Sequence, residues 1–363
     1  MRIATSSTSV ETGTVISAAR TRALDVPAHR ASPVAIWAAL GGLIFCFQAY
    51  VLLKWMTGPY FVPTPTGPDK LSQAQSVYFL FLQIAVPLGA LYCLMKWVAL
   101  PRIRLGHLTA DGRLFLAGTL IFFWDMSMNY SSTSLLYNSH MLNFGAWTLG
   151  SWPMWFSPAA NLLPEPVLVT IPGYTALVTT QALFVCWLLR KAKVRWPRLG
   201  ILASVALIIV GCTVVDSTIE LLLIRTGVYA YPGAIRSFAI FPGQTYQFPL
   251  NEGILFGGLG VGSMTALLFF RDDKGQTFVE RGIESLKYGP VAKGWLRGFA
   301  VFGYCHLMFI ILYAIPMQFF SLHAGAFPEG YPSYMLNGMC VYGVTGDQCP
   351  GPGVMIPRID TPQ

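Results

Sequence analysis

Seven hydrophobic runs, near 33–53, 75–98, 114–131, 167–189, 200–224, 251–270 and 297–320, have the length of about 20 residues needed to cross a bilayer. In lipid only helices and closed barrels satisfy every backbone polar group, and these runs lack the alternation of barrel strands. The expected fold class is therefore an all-α integral membrane protein, a bundle of about seven transmembrane helices. Composition agrees, with 54% hydrophobic and 11% charged residues against about 25% charged in a soluble domain. Residues 1–32, rich in Ser, Thr, Ala and Arg, read as a disordered basic tail. The first apolar run is span-length, so this tail is not read as a cleavable signal peptide. Residues 33–320 form the expected membrane domain and 321–363 a C-terminal tail.

The net charge of +8 has a topological reading. With the N-terminus inside, only Lys54, Lys70, Arg225, Arg236 and Arg358 fall outside; the other nineteen of the 24 Lys and Arg residues fall inside. That bias predicts a cytoplasmic N-terminus and an external C-terminus for seven spans, and argues against nucleic acid as a partner. It also places Cys340 and Cys349 outside, where they form either a disulfide or two free thiols. The remaining five cysteines lie in apolar runs and read as packing residues.

Against this apolar background four acids stand out. Asp125, Asp216 and Glu220 interrupt spans, and Glu252 opens one beside Asn251. A carboxylate at the bilayer centre costs at least about 2.5–3.5 kcal/mol, so such groups face a cavity and have a task. The expected topology brings all four to similar depth near the outer face. Asp216 and Glu220, at i and i+4, stack about 5–6 Å apart on one helical face. Two carboxyls that close do not both ionise in a dry site, and an acid beside a carboxylate suits general acid–base work. The alternative is structural, with each acid bonded to a neighbouring helix or to Arg225. In the connection 129–166, Tyr137, Asn138 and His140 add donors and an imidazole, and Trp147, Trp152, Trp155 and Phe156 suit the headgroup level. This connection reads as a cap or re-entrant segment. His140 either relays protons or bonds the loop backbone, and His306 in the last span either contacts the same cavity or, the preferred reading, is a satisfied core histidine.

Several motifs fail on context. Gly257-Gly258-Leu259-Gly260-Val261-Gly262 lies within a span with no preceding strand, so its small residues serve close helix contact rather than dinucleotide binding. The five histidines include no close pair, against a di-iron oxidase, and no metal or cofactor is expected.

Several blocks resemble the spirocyclase AveC family: Trp124-Asp125, Tyr137-Asn138-Ser139-His140 with Asn143 and Gly145-Ala146-Trp147, and Pro164-Glu165-Pro166. Later come Val215-Asp216, Glu220, Leu223 to Tyr229, Tyr231-Pro232-Gly233 and Pro249 to Gly253. The resemblance runs from about 33 to 320. It implies an actinobacterial-type protein of the bacterial cytoplasmic membrane that cyclises or dehydrates dihydroxy-ketone polyketides. The expected function is thus a spirocyclase-like isomerase or lyase acting on a hydrophobic hydroxy-ketone drawn from membrane lipid. In this reading Asp216 and Glu220 are proton donor and base in either order, and Asp125 assists. Asn138, His140, Tyr137, Asn251 and Glu252 meet the substrate. A proton-coupled transporter or lipid-binding protein is the alternative, and a structural subunit the third reading.

Overall fold

A computed structural model of the chain describes residues 32–155 and 160–337; the tail 1–31 and the Cys340–Cys349 pairing lie outside the described residues. The described chain is mostly helical. Six helices are long and apolar enough to cross a membrane: α1 (Pro33–Met56), α2 (Gln73–Leu105), α4 (Thr170–Arg195), α5 (Ile201–Arg225), α6 (Leu250–Phe269) and α7 (Pro290–Leu322). Large apolar side chains such as Leu43, Leu80, Val214 and Leu222 remain more than half exposed, as lipid-facing residues do.

The run 114–131 differs from the expected span. It begins as a short helix, α3 (Ala110–Gly118), and continues as a 3-10 helix over Ile121–Asn129. A 3-10 run of nine residues is unusual, because its hydrogen bonds are poorer than those of an α-helix. Every residue in it is buried, so neighbouring protein shields the weakened backbone. Its first end lies by the α6–α7 connection, where Arg113 pairs with Glu280 at 2.8 Å. Its far end meets the last turns of α7, where Ser131 N–H donates to Gln318 Oε1 at 3.1 Å.

Local chemistry fixes the helix ends. Ser72 and Gln75 form a capping box at the start of α2, and Gly106, with φ of 73°, ends it in the left-handed conformation glycine favours. The Thr109 side chain accepts the Gly112 N–H to begin α3. α1 and α7 pack through Gly41 and Gly303, each lying so near the other helix's backbone that a side chain would overlap it.

α6 and α7 each contain a π-helical stretch, Gly253–Val261 and Ile310–Ala314, and the two stretches touch. Along α6, Gly253, Gly257 and Gly258 receive Ser217, Asp216 and Thr213 of α5. The sequence's glycine run thus serves helix contact.

The described residues of the connection 130–169 form a packed cap. Leu136–Tyr137 pairs antiparallel with Tyr229–Ala230, in the register Leu136 to Ala230 and Tyr137 to Tyr229. That two-residue ladder ties the cap to the α5–α6 connection. Trp147 is fully buried and donates from Nε1 to Phe123 O at 3.1 Å, and Trp155 is also buried. Both are core residues of the cap, held in a cluster of aromatic rings with Phe122, Phe123 and Trp152. Phe156 lies outside the described residues.

Candidate functional site

The start of α4, the end of α5, the start of α6 and the later part of α7 lie at one end of the bundle, under the cap. Five carboxyls gather there. Asp125 comes from the 3-10 helix, Glu165 from the cap, Asp216 and Glu220 from α5, and Glu252 from α6. Asp125, Glu165, Asp216 and Glu252 are buried and Glu220 partly so. Every ion pair among the described residues lies elsewhere, so none of the five is neutralised by Lys or Arg.

Tyrosines stand where cations would. Asp125 accepts the Tyr137 hydroxyl at Oδ2, 2.6 Å, and the Tyr174 hydroxyl at Oδ1, 2.8 Å. Glu220 Oε2 accepts the Tyr231 hydroxyl at 2.6 Å, and Glu252 Oε1 the Tyr313 hydroxyl at 3.0 Å. Tyr229 lies near Glu220, and its ring packs on Tyr137 and Tyr231. Fixed phenolic donors stabilise a carboxylate without cancelling its charge, and they can pass a proton on.

Several acceptors stay open. Asp216 Oδ2, Glu252 Oε2 and both Glu165 oxygens are buried without a full hydrogen bond. Glu165 sits against Asp125 and Thr170, and two carboxyls in contact bond each other only by sharing a proton. Glu165 is held well above the usual carboxylate range, first by burial and then by the charge of Asp125. Glu165 therefore holds its proton more tightly than an exposed glutamate does, with Asp125 as its neighbour. The phenols of Tyr137, Tyr229 and Tyr231 are pushed above their ordinary value by burial, then by the carboxyls they face, and remain donors.

The four acids singled out in the sequence do meet, since Asp216, Glu220 and Glu252 interact electrostatically and Glu252 also senses Asp125. Tyr137 belongs to the network directly. Asn138 does not bond it: its Nδ2 donates to Gly227 O at 3.0 Å, and its Oδ1 accepts the His140 N–H at 3.0 Å, which shapes the cap loop. The His140 ring packs on Tyr334, and its Nε2 has no hydrogen-bond partner. Asn251 is buried beside Glu252 and donates to Met317 Sδ at 3.3 Å. His306 is a core residue: its Nδ1 accepts Trp124 Nε1–H at 2.8 Å, and its Nε2 faces Ala117 O at 3.1 Å. Among the described residues no group of three or more His, Cys, Asp or Glu side chains is placed to hold a metal ion.

Sequence reasoning missed Glu165, Tyr174, Tyr229, Tyr231 and Tyr313 as site residues. Glu165 carried a signal, a lone charge between two prolines in a long uncharged segment. Tyr229 and Tyr231 stood within the family-like blocks, whereas Tyr174 and Tyr313 carried no signal that separates them from interface aromatics.

No curated protein and no solved structure matches the chain. A family model described as spirocyclase AveC-like matches residues 106–336, a stretch that contains all five carboxyls and all five tyrosines. The match covers well over half of the chain, which belongs to the AveC-like spirocyclase family.

Proposed function

We propose that the protein is a membrane-embedded acid–base catalyst that cyclises or dehydrates a hydrophobic hydroxy-ketone of polyketide type. The observation that carries this reading is a buried set of carboxyls with no cation among them, tied together by phenolic donors, in a spirocyclase-like family. Forming a ketal from a dihydroxy-ketone needs a proton on the carbonyl oxygen and removal of one from the attacking hydroxyl. Water must then leave to give an oxocarbenium ion, which the second hydroxyl captures; the balance is one water released. Glu165, whose buried carboxyl holds its proton tightly, can give one, and Asp125 beside it can take one back. Asp216, Glu220 and Glu252 do not all ionise together in a dry site, and those that do supply negative charge to stabilise the cation as it forms. Dehydration uses the same steps, with a carbon-bound proton lost in place of ring closure.

In this reading the protein sits in a bacterial cytoplasmic membrane with its N-terminus in the cytoplasm. The segment 110–129 makes a seventh, broken crossing. Nine α-helical and nine 3-10 residues together extend about 30 Å, which matches the hydrocarbon thickness. The acids then lie toward the outer face. Their collection at one end of the bundle disfavours proton-coupled transport, which needs a polar path to the other end.

The test is conversion of a panel of dihydroxy-ketones by membranes holding equal amounts of wild type, Asp216→Asn/Glu220→Gln or Asp125→Asn/Glu165→Gln. Product from the wild type alone supports catalysis by the joined network. Equal product from all three rules the acids out as catalysts, and no product from any turns attention to binding or transport.

A further inference from the structure

On α5 the residues Ser204, Ile208, Cys212, Asp216, Glu220 and Ile224 recur at four-residue spacing, so each lies about 40° round the helix from the one before and together they trace a slowly winding face. That face is turned into the bundle. Five of the six are buried, and Glu220, between two buried members, is the exception. α4 repeats the pattern: Tyr174 is only half-buried, whereas Val178, Gln181 and Val185, which follow on its face, are buried. The other members of the carboxyl–tyrosine network are buried. A residue that stays partly open between buried members of an inward face is what a narrow gap between elements leaves.

The two open residues belong to adjacent helices at the same end of the bundle, and lie near enough for their charges to interact. Behind Tyr174 stands Asp125, and behind Glu220 stands Tyr231. The unpartnered Oδ2 of Asp216 lies deeper on the same face of α5. The Phe256 ring, 5.8 Å from that of Tyr174, gives the gap an apolar side.

We propose that this gap is the mouth of the site, and that Glu220 is the one carboxyl of the five that a ligand touches directly. Tyr174 meets the ligand beside it and connects it to Asp125. The ligand this mouth fits is a hydrophobic molecule with a hydroxyl or carbonyl oxygen, bonded by the acceptor of Glu220 and the phenol of Tyr174 and packed on Phe256. The ligand class rests on the function proposed above; the position of the mouth does not. Asp216, Glu165 and Glu252 then act from behind the first contact.

Carbodiimides read access without any substrate. A carboxylic acid adds across the N=C=N unit, its proton going to nitrogen and its oxygen to carbon, and the O-acylurea rearranges to a stable N-acylurea of the same mass. Membranes containing the wild-type protein are treated with dicyclohexylcarbodiimide or with a water-soluble carbodiimide, from mildly acid to neutral pH, and the modified peptides are mapped by mass spectrometry. The expected result is labelling of Glu220 several-fold above Asp125, Glu165, Asp216 and Glu252, lost in Glu220→Gln. Labelling by the hydrophobic reagent alone places the mouth on lipid, and labelling by both places it on water; either supports the proposal. Dominant labelling of Asp216 or Glu252, or no labelling of Glu220 by either reagent, overturns it. A labelled Glu220 in a protein that converts no hydroxy-ketone keeps the mouth and removes the catalytic reading.

Discussion

Gly257 of α6 lies against Asp216 of α5, and a Cβ at position 257 would fall 2.8 Å from Asp216 Cγ and 2.9 Å from Oδ2. Real Cβ atoms do not tolerate such an approach, so glycine here sets how deeply the Asp216 carboxyl is seated. Gly257→Ala must push α5 and α6 apart or rotate Asp216 away, and overpacking of this kind costs about 1–3 kcal/mol. Gly42 of α1 has open space around its Cβ position and serves as the control. Thermal unfolding in detergent should show a lower midpoint for Gly257→Ala and an unchanged or higher one for Gly42→Ala. Equal midpoints for Gly257→Ala and wild type would mean that the close approach constrains nothing.

Glu165 gives folding a pH dependence of definite sign. Its carboxyl holds its proton more tightly folded than unfolded, because burial and then the charge of Asp125 raise it. Such a group costs nothing at low pH, where both states are protonated. The cost grows as pH rises above the unfolded value of about 4. Wild type in detergent should therefore lose stability as pH rises above that value, and Asp125→Asn, which removes the neighbouring charge and keeps an acceptor for Tyr137 or Tyr174, should lose less. Superimposable pH curves for the two proteins would contradict the assignment.

At the other end of the network's supporting segment, Arg113 and Glu280 form a buried ion pair at 2.8 Å, with side chains 8% and 0% exposed. Glu280 also caps its own turn by accepting the Thr277 N–H and hydroxyl. Removing the acid leaves an arginine with no countercharge in a dry place, which costs about 3–5 kcal/mol, whereas replacing both partners with apolar residues costs far less. Glu280→Leu should lower the unfolding midpoint sharply, and Arg113→Met/Glu280→Leu should recover much of the loss. A double variant no better than the single one would show that the pair matters through Thr277 alone.

Sequence legibility divided along physical lines. Span-length apolar runs declare themselves, and six helices lie where hydropathy puts them, because burial in lipid acts on each run separately. The stretch 114–131 misled for the same reason: it is apolar enough to cross as a helix, yet its backbone turns 3-10 after Gly118 under packing from α7 and the cap. Asp216, Glu220 and Glu252 were readable as a cluster because a charge in an apolar helix is rare. Tyr137 and Tyr229 come together through the cap's two-residue pairing with Tyr229–Ala230, a contact between segments about ninety residues apart that no local pattern announces.

His306 and Glu165 separate a packed polar residue from a chemical one. The His306 ring is stacked on Phe302 at 3.9 Å between centroids and bonded through both nitrogens, to Trp124 and to Ala117 O, with Gln48 also at Nδ1. His306→Ala strips partners from buried groups, each loss costing about 1–3 kcal/mol, so stability should fall while the protein that remains folded keeps its pH–rate profile. Glu165 makes no full hydrogen bond, so Glu165→Gln should change stability little. It removes the proton that the site is proposed to give, and general acids contribute about 10²–10⁴ in rate, so conversion should fall on that scale with KM nearly unchanged. The check is kcat and KM against pH for both variants, beside their unfolding midpoints. A shifted pH profile in His306→Ala, or full turnover in Glu165→Gln, would reverse the two assignments.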